Sequence, residues 1–292
     1  MNSFFLSIVT IILIISFSVS FFSDSNNDIT TLDGEKSSNN VIAIIELNGI
    51  IIETNSEFYN LTNSFIISPQ SVKKNLKKLE KISPKKIIFS INSPGGTVSA
   101  SKKIYDIIKK YKNDNTDTKI FIHTSELLAS GGYWAATAAD GIYASYGSIT
   151  GSIGVKGPDW FYYDKPKTLS LGIFGNTIET ENGIKVFSNT AGESKDIFNQ
   201  FRKPTLNELE HLQNIVDEIY NDFIRIVSKE RKIETKTLER DIGALIFTSK
   251  QASILNLIDD ELSLEELINK LINDNNLIDY RVIKLSNTKN SL

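Results

Sequence analysis

One short stretch of the sequence places a serine where it could act as a nucleophile. In SELLASGGYWAATAAD, residues 125–140, Ser130 stands directly before two glycines and an alanine-rich segment. If that segment is a helix, the serine lies at its N-terminus, where unpaired N–H groups and the helix dipole favour negative charge. Such a position can stabilise an oxyanion, but a serine there can equally serve only as an N-cap. The stretch alone leaves both interpretations open.

A second glycine pair favours the catalytic interpretation. In INSPGGTVSA, residues 91–100, Gly95 and Gly96 end an apolar run and open a helical pattern. This places them at the carboxyl edge of a parallel sheet, where α/β proteins bind their ligands. The strand before Ser130 ends at the same edge, so the two turns could offer two N–H donors to one carbonyl oxygen, as acyl transfer requires. Phosphate binding is the alternative, but the Walker lysine and the G-x-G-x-x-G spacing are missing.

A serine nucleophile also needs a base. The chain has two histidines, His123 and His211, and neither forms a convincing Ser–His arrangement. A lysine can act instead when burial favours its neutral amine. The chain has many lysines, and physical reasoning from the residues alone does not select one.

The elements that must position these residues alternate along the chain. Apolar runs rich in β-branched residues predict strands buried on both faces, and segments with apolar residues three and four apart predict helices between them. The strands are expected from Val41, over 86–92 and over 119–124, and the helices over 71–81 and 98–112. Strand alternating with helix predicts an α/β fold with a parallel sheet.

The second half of the chain begins with the Gly/Ser-rich stretch YGSITGSIGV. A hairpin is predicted around Glu181-Asn182-Gly183, a sequence typical of tight turns. A long amphipathic helix is predicted after Thr205, an N-cap candidate followed three residues later by Glu208, as in a capping box.

Composition excludes several classes of function. The net charge is −3 and the lysines are scattered, which argues against nucleic acid as a partner. The chain has no cysteine, so disulfides, thiol nucleophiles and thiolate metal sites are excluded. Two histidines are too few for a histidine-rich metal site, and we expect no metal or cofactor.

The N-terminus carries a membrane signal. Residues 4–22 hold 19 residues without a charge, which as a helix would span roughly 28 Å, close to the bilayer hydrocarbon. We expect a transmembrane anchor over 1–22, with a cleaved secretory signal as the competing interpretation. The polar residues 23–40 predict a flexible stalk. In either case the remaining chain is expected on the far side of the membrane.

Several motifs, in order, resemble one family. NSPGG, ASGGYW, GSITGSIGV, AGESKD, FRKPTLNELE and FTSKQASILNLID are similar to those of the signal peptide peptidase A family of membrane-anchored serine proteases, in its short single-unit form. The resemblance runs from about Val41 to Leu267. It implies the Clp protease/crotonase-like superfold, with a peptidase domain over 41–283 and a polar tail over 284–292.

The resemblance also implies roles for individual residues. The nucleophile is Ser130 of ASGGYW, and the general base is Lys195 of AGESKD. Ser152 of GSIGV helps to hold the lysine, with an ordinary turn serine as the alternative. The oxyanion donors are the N–H groups of Gly131 and Gly96. Family members form rings or domes, so the lysine of one subunit could serve the serine of another.

The expected function is that of a single-pass endopeptidase of the cell inner membrane, with its catalytic domain on the extracytoplasmic side. It would cleave apolar unstructured peptides, such as remnant signal peptides. Alternatives are a related membrane protease that cuts a membrane-associated protein, and a non-catalytic scaffold of the same fold. An acyl-CoA enzyme is disfavoured, since no acidic catalytic residue accompanies the glycine turns.

Two departures from the family pattern stand out. The residues before the expected base are Gly192-Glu193-Ser194 rather than an aromatic or glycine–lysine pair. Near the end, Asn256 replaces a turn glycine. Because asparagine tolerates the left-handed conformation, Asn256 is predicted to adopt it.

Overall fold

The computed structural model describes residues 29–53, 65–162, 168–171, 176–179, 189–274 and 279–285. Its strands, numbered along the chain, are β1 Ile29–Gly34, β2 Val41–Asn48, β3 Ile50–Ile51, β4 Ile66–Ile67, β5 Lys86–Asn92, β6 Lys119–Thr124, β7 Leu127–Ala129, β8 Gly141–Ala144, β9 Ile149–Gly151, β10 Thr168–Leu171, β11 Asn176–Glu179, β12 Ile246–Thr248, β13 Asp260–Glu261 and β14 Arg281–Leu285.

The helices lie between these strands. They are α1 Pro69–Glu80, α2 Val98–Asp114, α3 Gly131–Ala136, α4 Leu206–Arg231, α5 Thr235–Thr237, α6 Ser249–Ile254 and α7 Leu264–Asn273, with a π-helical turn over Leu238–Ile242. The four predicted elements around Gly95 and Gly96 are confirmed to within a few residues: α1, β5, α2 and β6.

A seven-stranded sheet forms the centre of the fold. Its order is β1-β14-β2-β5-β6-β8-β13, and every neighbouring pair is parallel except β1 with β14. Helix α1 connects β2 to β5, and α2 connects β5 to β6. The predicted α/β fold with a mostly parallel sheet is therefore confirmed. A smaller sheet, β12-β9-β7, stands beside it.

Both faces of the large sheet are covered, which explains the continuous apolar run of β2. Val41, Ala43 and Ile45 belong to the core on the α1 and α2 face, whereas Ile42 and Ile44 pack with α7 on the other face. Each buried isoleucine contributes about 1.5–3 kcal/mol. The strand is stable only between two layers of helices.

The two ends of the folded region differ from expectation. Residues 29–34, predicted as part of a flexible stalk over 23–40, form β1. Residues 284–285, predicted as the start of the polar tail, end β14, which lies between β1 and β2. The described strands therefore extend past both predicted boundaries, 41 and 283. The two strands pair with each other, and neither has a hydrophobic run long enough to predict it alone.

Two local predictions in the second half are confirmed. Helix α4 begins after Thr205, and Thr205 and Glu208 form the capping box. Asn256 has a φ of 57°, the left-handed value. The predicted hairpin turn at Glu181–Gly183 lies outside the described residues, although β10 and β11 pair antiparallel just before it.

The predicted anchor over 1–22 also lies outside the described residues. Within the ranges that the structure does describe, none of the helices has both the length and the apolar character needed to cross a bilayer.

Candidate active site

Ser130 occupies a strained turn between β7 and α3. Its φ is 51° and its ψ is −125°, a conformation that L-residues adopt at a cost of about 1–3 kcal/mol. The turn is fixed at both sides, because the Ser130 amide donates to the Gly151 carbonyl at 2.9 Å and the Trp134 amide donates to the Ser130 carbonyl at 2.9 Å. The hydroxyl does not cap the helix. Ser130 thus occupies the N-cap position without a capping hydrogen bond from its side chain, which is half-buried.

Gly95 brings the other glycine turn into contact with this serine. Its φ is +99°, and a Cβ at this position would lie 2.7 Å from the Gly131 nitrogen and 2.8 Å from the Ser130 Cβ. Real Cβ atoms do not approach other atoms so closely. Only glycine allows the turn of β5 to lie directly against the serine.

Gly96 forms an isolated bridge with Ile51 of β3. The Ile51 amide donates to the Gly95 carbonyl and the Thr97 amide donates to the Ile51 carbonyl, both at 2.8 Å. This pairing uses the Gly95 carbonyl and the Thr97 amide, and the N–H of Gly96 itself has no acceptor among the described residues. A Cβ on Gly131 would lie 3.3 Å from the Gly96 nitrogen, so the two glycines are adjacent.

The amides of Gly96 and Gly131 therefore lie close together at the Ser130 turn. The N–H of Gly131, like that of Gly96, donates to no other residue in the described part of the chain. Unpaired donors close to a nucleophile are the arrangement that stabilises a tetrahedral oxyanion. The structure brings together three of the predicted site residues: Ser130, Gly131 and Gly96.

Ser152 lies next to the same turn through the small sheet. It follows Gly151, whose carbonyl accepts from Ser130, and its own amide donates to the Leu245 carbonyl at 2.7 Å. Its φ of 53° is left-handed and its side chain is half-buried. The hydroxyl has no hydrogen-bond partner among the residues with described side chains, so a contact with Lys195 is not formed in the isolated chain.

Lys195 lies in a segment on the N-terminal side of α4. Its side chain is exposed, and no hydrogen bond or ion pair joins its ammonium to Ser130, Ser152 or any other described residue. The single chain does not bring the predicted nucleophile and base together.

A polar cluster that sequence reasoning missed holds the Lys195 segment. Arg202 donates to both oxygens of Asp196, at 2.7 and 2.8 Å, and to both oxygens of Glu208, at 2.9 and 2.7 Å. The motifs AGESKD and FRKPTLNELE contain these residues, but the spacing along the chain does not show that they meet. The chain reversal between Lys195 and α4 creates the contact.

Asn92 is a second missed residue, at the end of β5. Its Oδ1 accepts hydrogen bonds from the Thr124 hydroxyl at 3.0 Å, the Ser125 amide at 3.1 Å and the Glu126 amide at 2.9 Å. These bonds fix the loop between β6 and β7, which leads to Ser130. An asparagine at the end of a buried strand was the available signal.

The two histidines take no part in this site. His123 is 1% exposed, and its Nε2 lies 3.1 Å from the Ser145 hydroxyl and 3.2 Å from the Leu262 carbonyl oxygen. Burial lowers the pKa of its imidazole. His211 is exposed on α4. Among the described side chains, no group of three or more His, Cys, Asp or Glu is placed to hold a metal ion.

Comparison with known proteins gives the family. The model of peptidase family S49 matches residues 112–277, more than half of the chain and including both Ser130 and Lys195. The chain belongs to peptidase family S49. It is therefore a member of a family of serine-type peptidases, as the motifs predicted. A Clp protease model matches residues 27–128, which confirms the Clp protease-like fold.

Relatives of this S49 member carry protease names. A protein of Methanocaldococcus jannaschii assigned as a protease is 32% identical over 65% of this chain and 56% of its own length. A protein of Enterococcus faecium assigned as signal peptide peptidase SppA is 28% identical over 90% of this chain and 72% of its own length. Protease 4 of Haemophilus influenzae is 28% identical over 79% of this chain, but the match spans only 34% of that protein.

A solved structure shares the fold of this S49 chain. The 1510-N membrane-bound stomatin-specific protease, solved as a mutant in complex with a substrate peptide, has a TM-score of 0.50 at 16% identity. The match covers 85% of this chain and 93% of that one. At this identity the likeness shows the fold alone.

Proposed function

We propose that this chain is a membrane-anchored serine endopeptidase that cleaves apolar, unstructured peptides with a Ser130–Lys195 dyad. The observation that carries the proposal is the meeting of two unpaired amides, from Gly131 and Gly96, beside a serine in a strained turn. A strained strand-to-helix turn is how hydrolases expose a serine nucleophile.

The chemistry follows from these groups. The Ser130 oxygen attacks the scissile carbonyl carbon while the neutral Lys195 amine takes the hydroxyl proton. The Gly131 and Gly96 amides hold the oxyanion. The lysine ammonium returns the proton to the leaving amine, and an acyl-enzyme remains on Ser130. Water, deprotonated by the same amine, then hydrolyses the ester.

Assembly completes the dyad in this proposal. A lysine accepts a proton only as the neutral amine, which removal from water favours. In the isolated chain Lys195 is exposed and forms no hydrogen bond with Ser130. In this proposal a second copy of the chain therefore covers Lys195 and removes its amine from water. We propose a homo-oligomeric ring or dome in which Ser152 orients the lysine of the same or a neighbouring subunit.

The membrane part of the proposal rests on the start of the fold. Ile29, the first residue of β1, pairs with Leu285, the last residue of β14. The C-terminal ends of β5 and β6 lie at this same end of the strands, and the chain turns toward Ser130 there. Six residues separate Phe22 from β1, a reach of at most about 20 Å. An anchor over 1–22 would therefore hold this end of the sheet near the extracytoplasmic surface of the inner membrane, where remnant signal peptides are accessible.

The experiment uses the full chain in lipid nanodiscs with a quenched fluorescent apolar peptide. Ser130→Ala and Lys195→Ala are each expected to lower kcat/KM by about 10³-fold or more, because each removes a reacting group. Lys156→Ala is the matched control, since that lysine is exposed and its one ion pair in the described part of the chain is with Asp159. A fluorophosphonate probe should label Ser130. A scaffold would remain unlabelled, and undiminished cleavage by either dyad variant would refute the assignment.

Mixing the two inactive variants tests the proposed assembly. If the lysine of one subunit serves the serine of another, co-assembled Ser130→Ala and Lys195→Ala chains regain part of the activity. Recovery supports a shared site, whereas its absence in a confirmed mixed oligomer places both groups in one chain.

A further inference from the structure

The two neighbours of Lys195 in the chain are both tied down. Asp196, on one side, accepts two hydrogen bonds from Arg202. Ser194, on the other side, interacts through its side chain with the Glu208 carboxylate and helps to lower the pKa of Glu208. Glu208 in turn accepts two hydrogen bonds from the same Arg202. The exposed Lys195 thus lies between two residues whose side chains have partners. The Arg202 guanidinium binds both Asp196 and Glu208.

Glu208, which Arg202 binds, belongs to α4, the longest of the described helices. Glu208 is buried in the first turn of α4, and its carboxylate also accepts from the Thr205 amide at 2.9 Å. Farther along α4, Phe223, Ile224 and Val227 are buried in the main core. The lysine segment is therefore tied, through Arg202 and Glu208, to an element that cannot move without disturbing the core.

Arg202 is suited to this role by its shape. Its planar guanidinium binds two carboxylates, each through two N–H groups, and a lysine ammonium cannot reproduce this fork. The guanidinium also lies over the Trp160 ring, 5.3 Å from its centroid. Its hydrogen bonds hold the pKa values of Asp196 and Glu208 below their usual range, so both carboxylates remain charged at neutral pH.

We propose that Arg202, bound between Asp196 and Glu208, is a positioning residue that fixes the Lys195 backbone so that its amine can reach the serine. The inference rests on the proposed function, because it assumes that Lys195 is the base. Among the described residues, Arg202 makes no hydrogen bond to Ser130 or to the Lys195 side chain. Its effect passes entirely through the lysine.

The first test is the kinetics of Arg202→Ala. A displacement of the base by about 1 Å can lower the rate about 10²-fold, so kcat should fall by roughly that factor while KM stays within about threefold. Arg202→Lys should recover only part of the rate, and millimolar guanidinium should restore part of the rate of Arg202→Ala. Arg225→Ala is the matched control, because Arg225 is exposed on α4 and its one ion pair among the described residues is with Asp222. An unchanged kcat in Arg202→Ala would overturn the inference.

A double-mutant comparison separates positioning from a general structural role. The readout is the rate at which a fluorophosphonate labels Ser130. If Arg202 acts through Lys195, adding Arg202→Ala to Lys195→Ala causes no further decrease. An equal decrease with and without the Lys195 side chain would show a structural role and overturn the inference. If Lys195→Ala itself labels at the wild-type rate, the proposed base is wrong and the inference falls with it.

A milder variant covers the case in which Arg202→Ala fails to fold. Asp196→Asn removes the carboxylate next to Lys195 that pairs with Arg202. It leaves the Arg202–Glu208 pair and the capping box of α4 in place. We expect a lower kcat with an unchanged melting temperature. A wild-type kcat in this variant would contradict the proposed clamp.

Discussion

Replacing Gly95 with alanine tests whether the contact between the two glycine turns controls catalysis. The added Cβ would lie 2.7 Å from the Gly131 nitrogen, 2.8 Å from the Ser130 Cβ and 3.0 Å from the Ala129 carbonyl oxygen. The φ of +99° adds strain of about 1–2 kcal/mol for a residue with a side chain, and overpacking adds about 1–3 kcal/mol. We therefore expect a loss of roughly 2–5 kcal/mol if the turns keep their positions.

The protein can avoid part of this loss only by moving the turn. Because the crowded atoms belong to the proposed nucleophile and to a proposed oxyanion donor, a shift that relieves the contact misplaces both. A displacement of about 1 Å is enough to lower the rate about 10²-fold. Either the free energy of unfolding or kcat/KM must fall.

Urea unfolding and cleavage of the fluorescent apolar peptide measure the two quantities in parallel. Gly147→Ala is the matched control: its φ is +82°, and a Cβ there would meet nothing within 4 Å. The control should lose about 1–2 kcal/mol of stability and no activity. If Gly95→Ala matches the control in both stability and kcat/KM, the close packing of the two turns has no catalytic role.

Two further predictions concern groups outside the reacting set. Burial lowers the pKa of His123 in the folded chain. As the pH falls below about 6.5, the unfolded chain therefore binds a proton before the folded chain does. The free energy of unfolding then decreases by at most about 1.4 kcal/mol per pH unit. His123→Gln should lack this part of the loss between pH 7.5 and 5.5, and equal slopes in the two proteins would contradict it. Asn92→Ala removes the acceptor for Thr124, Ser125 and Glu126 and should cost about 2–4 kcal/mol with a reduced kcat. Asn92→Asp keeps the acceptor and should lose less in the same urea titration, whereas equal losses would show that the acceptor is unimportant.

The local elements of the fold could be predicted from the sequence because their signals are local. Burial on two faces requires a continuous apolar run such as that of β2, and a capping box requires only Thr205 and Glu208 at the right spacing. The left-handed Asn256 follows from the backbone preference of one residue. Likewise, the glycine turns indicated where a carbonyl oxygen could be held.

The remaining features depend on contacts between distant parts of the chain. Strand β1 is stable only because Ile29 meets Leu285 at the other end of the sequence, so its own six residues gave no strong signal. The Ser130 amide donates to the carbonyl of Gly151, a residue of another strand, and Arg202 pairs with carboxylates that lie six residues before and six residues after it. The periodicity of apolar residues shows which face of a helix or strand is buried, but it does not show which other element packs against that face. The sequence therefore predicted candidate residues for the chemistry, whereas tertiary packing decided which groups hold those candidates in place.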